Sequence, residues 1–136
     1  METVQGTFKQ IDSGDYRVVA VNTWGDVYFR TDITKENPKG ADWKAVKGHM
    51  VMATTSAKHV VWGIDRDDKV WFHKSEGYNN KIPPLPMISE WEEAPIENQE
   101  MQIIDVGRDG MVWGCTKNSI FARMGIHPDN RLGSSW

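Results

Sequence analysis

The chain has 136 residues, 39% of them hydrophobic, with a formal net charge of −3, a length that reads as one domain. Slight acidity supplies no long-range field for a phosphate backbone, which argues against a nucleic-acid partner. No run of eighteen apolar residues is present, so no membrane span is predicted, and the polar stretch Met1 to Phe8 lacks the apolar core of a signal peptide.

A single cysteine, Cys115, excludes an internal disulfide and suits either a reducing compartment or a fold that needs no staples. The expected location is soluble: cytoplasmic, or released without a recognisable signal peptide. Seven tryptophans are unusual for this length, because Trp is large and demanding in geometry.

Taken in chain order, the first strands are predicted at Val18-Val19-Ala20-Val21-Asn22 and Asp26-Val27-Tyr28-Phe29-Arg30, with Trp24 at the hairpin tip between them. A polar loop, Asn37-Pro38-Lys39-Gly40-Ala41-Asp42, leads to Trp43. Strands near 44–47, 50–55, 59–65 and 69–74 follow, divided by turns rich in Gly, Asp, Asn, Lys and Ser. After a long linker from Lys74 to Glu90, the pattern returns as Val112-Trp113-Gly114-Cys115-Thr116 and Ser119-Ile120-Phe121-Ala122-Arg123. No segment carries a useful helical period.

These elements repeat. Val61-Trp62-Gly63-Ile64-Asp65 with Lys69-Val70-Trp71-Phe72-His73 matches the Val112 and Ser119 segments, and the Val18 and Asp26 segments form a weaker copy. Trp43, Trp91 and Trp136 form a second column, each after a polar linker, 48 and 45 residues apart. Val4-Gln5-Gly6 repeats the end of Trp43-Lys44-Ala45-Val46-Lys47-Gly48, and Ile11-Asp12-Ser13-Gly14 matches Ile104-Asp105-Val106-Gly107. The chain therefore divides into three repeats, about 1–42, 43–90 and 91–136. Four short strands every 45 residues or so is the mark of a propeller blade. The predicted fold is all-β, with three four-stranded antiparallel blades.

These residues resemble the tectonin β-propeller repeat, most closely in Val61-Trp62-Gly63-Ile64-Asp65, Val27-Tyr28-Phe29-Arg30 and Asn37-Pro38-Lys39-Gly40-Ala41-Asp42-Trp43. The resemblance covers essentially the whole chain. It departs at Val19-Ala20 in place of Trp-Gly, at Met52-Ala53-Thr54, and at Ala94-Pro95-Ile96. It implies a lectin that binds glycans, bacterial lipopolysaccharide or methylated sugars among them, with a part in defence, and a ring of six repeats.

Three blades do not close a ring, and an open stack would expose two apolar faces. A homodimer of two half-rings is therefore expected. Trp136 is a spare member of its column and is expected to fill the start of the partner's first blade. The other account of three copies is a piece of a longer chain.

Sugars stack on aromatic rings and satisfy their hydroxyls with polar forks. Trp24 at its hairpin tip is either a binding ring or an incidental exposed one. Arg30, His73 and Arg123 share one column, and an arginine fork suits vicinal hydroxyls or acidic sugars as well as it suits a salt bridge between blades. Tyr28 and Trp71 lie two residues before that column, on the same strand face. Tyr78, Asn79 and Asn80 either donate to hydroxyls or belong to an unstructured loop. Trp62, Trp113, Trp43 and Trp91 are expected to pack structurally, with Trp43, Trp91 and Trp136 lining clefts between blades.

No reactive constellation is evident, so an enzyme is not expected, and neither is a cofactor or metal. Cys115 aligns with Ile64 and Val21 as a small apolar filler. His49, His59, His73 and His127 lack paired metal spacing. Asp65-Arg66-Asp67-Asp68 lacks the Gly and distal Glu of a calcium loop. The alternative function is a non-catalytic scaffold propeller that binds proteins through its loops.

Overall fold

A computed structural model describes residues 3–15, 17–56, 60–73, 91–96 and 100–136. Among these the chain is all-β, with eleven strands and no helix. The strands are β1 (Gln10–Gly14), β2 (Arg17–Val21), β3 (Asp26–Arg30), β4 (Trp43–His49), β5 (Met52–Thr55) and β6 (Val61–Ile64). They continue as β7 (Val70–His73), β8 (Trp91–Glu93), β9 (Ile103–Val106), β10 (Val112–Cys115) and β11 (Ile120–Ala122). Three antiparallel meanders result: β1-β2-β3-β4, β5-β6-β7-β8 and β9-β10-β11.

The sheets are offset from the sequence repeats by one strand. The segment that opens with Trp43 is the last strand of the first sheet, where Arg30 pairs with Trp43 and Tyr28 with Ala45. In the second sheet His73 pairs with Trp91. The loops before Trp43 and Trp136 double the chain back beside the strand it has just left, so antiparallel pairing there is local. Among the described residues the third sheet has three strands rather than the expected four. An isolated bridge, Met124 to Ser135, continues its register and places Trp136 opposite Arg123.

The β2–β3 and β6–β7 hairpins share one turn chemistry. Asn22 Oδ1 accepts from the amides of Trp24 and Asp26, and Asp65 Oδ1 accepts from those of Asp67 and Lys69. Short polar side chains hold such turns by bonding the backbone two and four residues on. The acidic run at 65–68 is therefore a hairpin, with Asp65 Oδ1 committed to the backbone of its own turn.

Two apolar layers join the sheets. Val19, Val21, Val27 and Phe29 meet Ala53 and Val61 between the first and second. Trp62, Ile64, Val70 and Phe72 meet Met101, Ile104, Val106 and Val112 between the second and third. Strict alternation sends successive side chains into opposite layers, so the middle sheet is buried on both faces. β5 packs against β1 and β2 on one side and β9 on the other. There the Thr54 hydroxyl contacts carboxylates of both Asp12 (2.8 Å) and Asp105 (3.1 Å). All three occupy the same repeat position, which gathers the sheets along their first strands.

Candidate functional site

The end of β3 meets the start of β4, and this junction recurs in each sheet. The side chains there are Arg30 with Trp43, His73 with Trp91, and Arg123 with Trp136. The Arg30 guanidinium lies 5.1 Å from the Trp43 ring centre, and that of Arg123 lies 5.3 Å from Trp136. His73 stands edge-on to Trp91 at 4.8 Å. The structure thus brings together six of the predicted site residues, as three equivalent pairs.

What the arginines do is hold their own loops. Arg30 Nε donates to the Lys39 carbonyl (2.8 Å) and Arg123 Nε to that of Leu132 (2.9 Å). Segments 30–43 and 123–136 then follow one path. Thr31 and Asp42 pair as Met124 and Ser135 do, and Ala41 N bonds Thr31 O as Ser134 N bonds Met124 O, all near 2.8 Å. Thr34 and Asn37 exchange amide bonds, as do His127 and Asn130. Gly40 and Gly133 sit so tightly on their arginines that a Cβ at either would lie 3.1 Å from the Arg Cγ. The second loop went unrecognised in the sequence because only Arg, Ile, Asn, Gly and Trp recur at fixed places within it.

The tryptophans lock onto the preceding repeat. Trp43 Nε1 donates to the Gln5 carbonyl (2.7 Å), Trp91 Nε1 to Lys47, and Trp136 Nε1 to Ala94 (3.1 Å). Next to the first two acceptors stand Gly6 (φ +143°) and Gly48 (φ +130°), a backbone region that disfavours side chains. A Cβ on Gly48 would come within 2.5 Å of the Trp91 indole nitrogen. Trp136 packs inside its own chain, edge-on to Trp62 at 6.5 Å, rather than reaching for a partner.

The three junctions differ in access. At Trp43 an open cleft of about 560 Å³ lies between Thr3–Gly6, Arg30 and the Lys39–Asp42 loop. A second hollow of about 330 Å³ adjoins it across Gln5 and Trp43, reaching Phe8, Lys9 and Ile11. Phe8 stands edge-on to Trp43 at 4.7 Å and covers Tyr28 at 5.5 Å. At the third junction Arg123 is buried, and Leu132 and Ser135 replace the charged Lys39 and Asp42. At the second, His73 is buried. Desolvation, and then the positive charge of Arg17, lower its pKa to about 4, so the imidazole is neutral at pH 7.

Other predicted residues lie apart. Trp24 is exposed, at the opposite end of β3 from Trp43, where its carbonyl accepts from Arg66 (3.2 Å). Trp71 is turned towards its hairpin and donates to Asp65 Oδ2 (2.8 Å). Tyr78, Asn79 and Asn80 lie outside the described residues. Trp62 is core as expected, but Trp113, expected to pack in the same way, is exposed. Cys115 is half-buried on that same open face. Residues that line the Trp43 cleft without being singled out in the sequence are Thr3, Lys39 and Asp42. The repeat of Val4-Gln5-Gly6 with Val46-Lys47-Gly48 was the signal that could have placed the N-terminal wall.

Three meanders with one interlocked junction, repeated, define an all-β repeat protein with a surface cleft of mixed aromatic and charged lining. The Tectonin domain family model matches residues 1–136, and the chain belongs to that family. No curated protein matches the sequence. A crystal structure of human WBSCR16 has a similar fold, with a TM-score of 0.58 at 10% identity. The match covers 95% of this chain and 37% of that one, so these three sheets span little more than a third of the larger protein. No helix among the described residues is long and apolar enough to cross a membrane.

Proposed function

We propose that this chain is a lectin, its sheets acting as propeller blades and its glycan site being the cleft at Trp43. The observation that carries the proposal is the lining of that cleft. An indole stands beside the free end of the Arg30 guanidinium, the Lys39 chain and the Asp42 carboxylate, in a volume suited to a small ligand. A pyranose offers the matching chemistry: an apolar C–H face for the ring, and hydroxyls for donors and acceptors. Arg30 keeps its terminal nitrogens for a ligand because Nε alone anchors the loop. Family membership supports the reading, since tectonin-type proteins are commonly lectins. Bacterial lipopolysaccharide and methylated sugars are the first ligands to try, with a defence role following from either.

The three junctions are not equal in this proposal. Burial of Arg123 and His73 makes the Trp43 cleft the principal site. Glycan-array binding of the wild-type chain beside Asp42→Ala tests it. Asp42 is exposed and its Oδ1 accepts from the Trp43 amide (2.8 Å), so its loss removes an acceptor from the cleft at the cost of one exposed hydrogen bond, and circular dichroism of the variant checks that the sheets remain. Array signals that survive the substitution undiminished overturn the placement of the site, and an array without any signal overturns the lectin.

A further inference from the structure

The outer faces of the two end sheets differ from the inner ones in exposure, not in chemistry. One repeat position is Val27, Val70 and Ile120: the first two are 0% and 1% exposed, and Ile120 is 76% exposed. Another is Trp62, 1% exposed, and Trp113, 57%. On the opposite faces, Ala53 and Ile104 are 0% and 1% exposed, whereas Ile11, at their position, is 61% exposed. Wherever a neighbouring sheet exists, these positions are dry. The open face of the third sheet therefore carries the side chains with which the second sheet grips the third. The open face of the first sheet carries the counterpart of the surface that is gripped.

The backbone edges tell the same story. Thr3–Gly6 is held by Trp43 through the Gln5 carbonyl and Gly6, just as β4 is held by Trp91 through Lys47 and Gly48. It thus stands where the last strand of a preceding sheet would stand, and no such sheet is among the described residues. The third sheet ends at β11, which among the described residues has a neighbour on one side only. An unpaired edge is a template for another strand.

We infer that a second copy of this chain closes both gaps: residues 3–6 of each copy pair with β11 of the other and complete its third sheet. The register follows from the first sheet, where Tyr28 faces Ala45. Its equivalent is Phe121 of one copy opposite Thr3 of the other. Trp113 and Ile120 then lie against the partner's Ile11, and the hollow beside Trp43 becomes a junction walled by both copies. Two such junctions, related by a two-fold axis, close the pair. The inference does not depend on the glycan reading.

The test is mass in solution by light scattering, together with a disulfide trap. In a Cys115→Ala background, Thr3→Cys and Phe121→Cys on one chain should oxidise to a covalent dimer, since directly paired strand positions fall within disulfide reach. The wild-type chain should run at twice its 15.5 kDa mass. Ile120→Lys with Trp113→Lys should give a monomer with an unchanged β-sheet circular dichroism spectrum, because neither residue is packed within the chain. A wild-type monomer, or an open ladder of masses, overturns the closed pair. A dimer whose cysteines do not cross-link overturns the strand pairing.

Discussion

His73 stands edge-on to Trp91, 4.8 Å between ring centres, in the layer between the first and second sheets. Phe29 flanks it on the other side at 5.5 Å. Position 73 is where the other two sheets carry loop-holding arginines, and the loop that follows is five residues longer there. The imidazole ring packs there between Phe29 and Trp91.

That placement sets a pH dependence. The unfolded chain takes up the His73 proton near pH 6.5 and the folded chain only near 4, so the unfolded state binds more protons between those values. Stability should therefore fall as pH drops from 6.5 to 4, by about 3 kcal/mol if His73 acts alone. Urea denaturation across that range measures it, and His73→Phe, which keeps the ring packing, should remove this part of the dependence.

Gly48 should not tolerate a side chain. Ala at φ +130° is strained, and its Cβ would press on the Trp91 indole nitrogen. Gly48→Ala should lower stability by about 1–3 kcal/mol, read by thermal melting. A variant as stable as wild type would contradict the lock described for the Trp column.

The two loop-holding arginines should differ in cost. Arg123 is buried and Arg30 is only partly so, although both bond a loop carbonyl through Nε. Arg123→Ala should destabilise by about 2–4 kcal/mol, since it leaves a cavity and an unpaired carbonyl. Arg30→Ala should cost less, and should act chiefly on glycan binding.

Trp62 and Trp24 make an opposed pair. Trp62→Ala opens a large cavity between the second and third sheets and should cost about 3–5 kcal/mol. Trp24→Ala, at an exposed hairpin tip, should change stability by less than about 0.5 kcal/mol. If Trp24→Ala also leaves glycan binding unchanged, its ring is outside the site.

Several of these relationships were visible in the sequence. The Val-Trp-Gly strands, the Trp column and the Gly-ended segments recur because each sheet solves one packing problem with one set of side chains. Their spacing therefore exposed the strands and the two columns to which Arg30 and Trp43 belong, while their pairing came from the structure. The boundary of a sheet was not visible. Nothing in Trp43-Lys44-Ala45-Val46 distinguishes the last strand of one sheet from the first of the next; hydrogen bonding to β3 decides it. Trp136 was equally ambiguous, since its column is periodic whichever chain supplies the pocket.

The sequence by itself determined the repeat, the all-β character and the family, because strand period, turn chemistry and recurrent tryptophans are local or periodic properties. Tertiary structure alone decided which members of a column are covered. Trp62 and Trp113 occupy the same place in the same motif, and only the presence of a third sheet over one of them makes it core. For the same reason Arg30 borders an open cleft while Arg123 is sealed: burial depends on what packs alongside, and that partner lies far away in the chain.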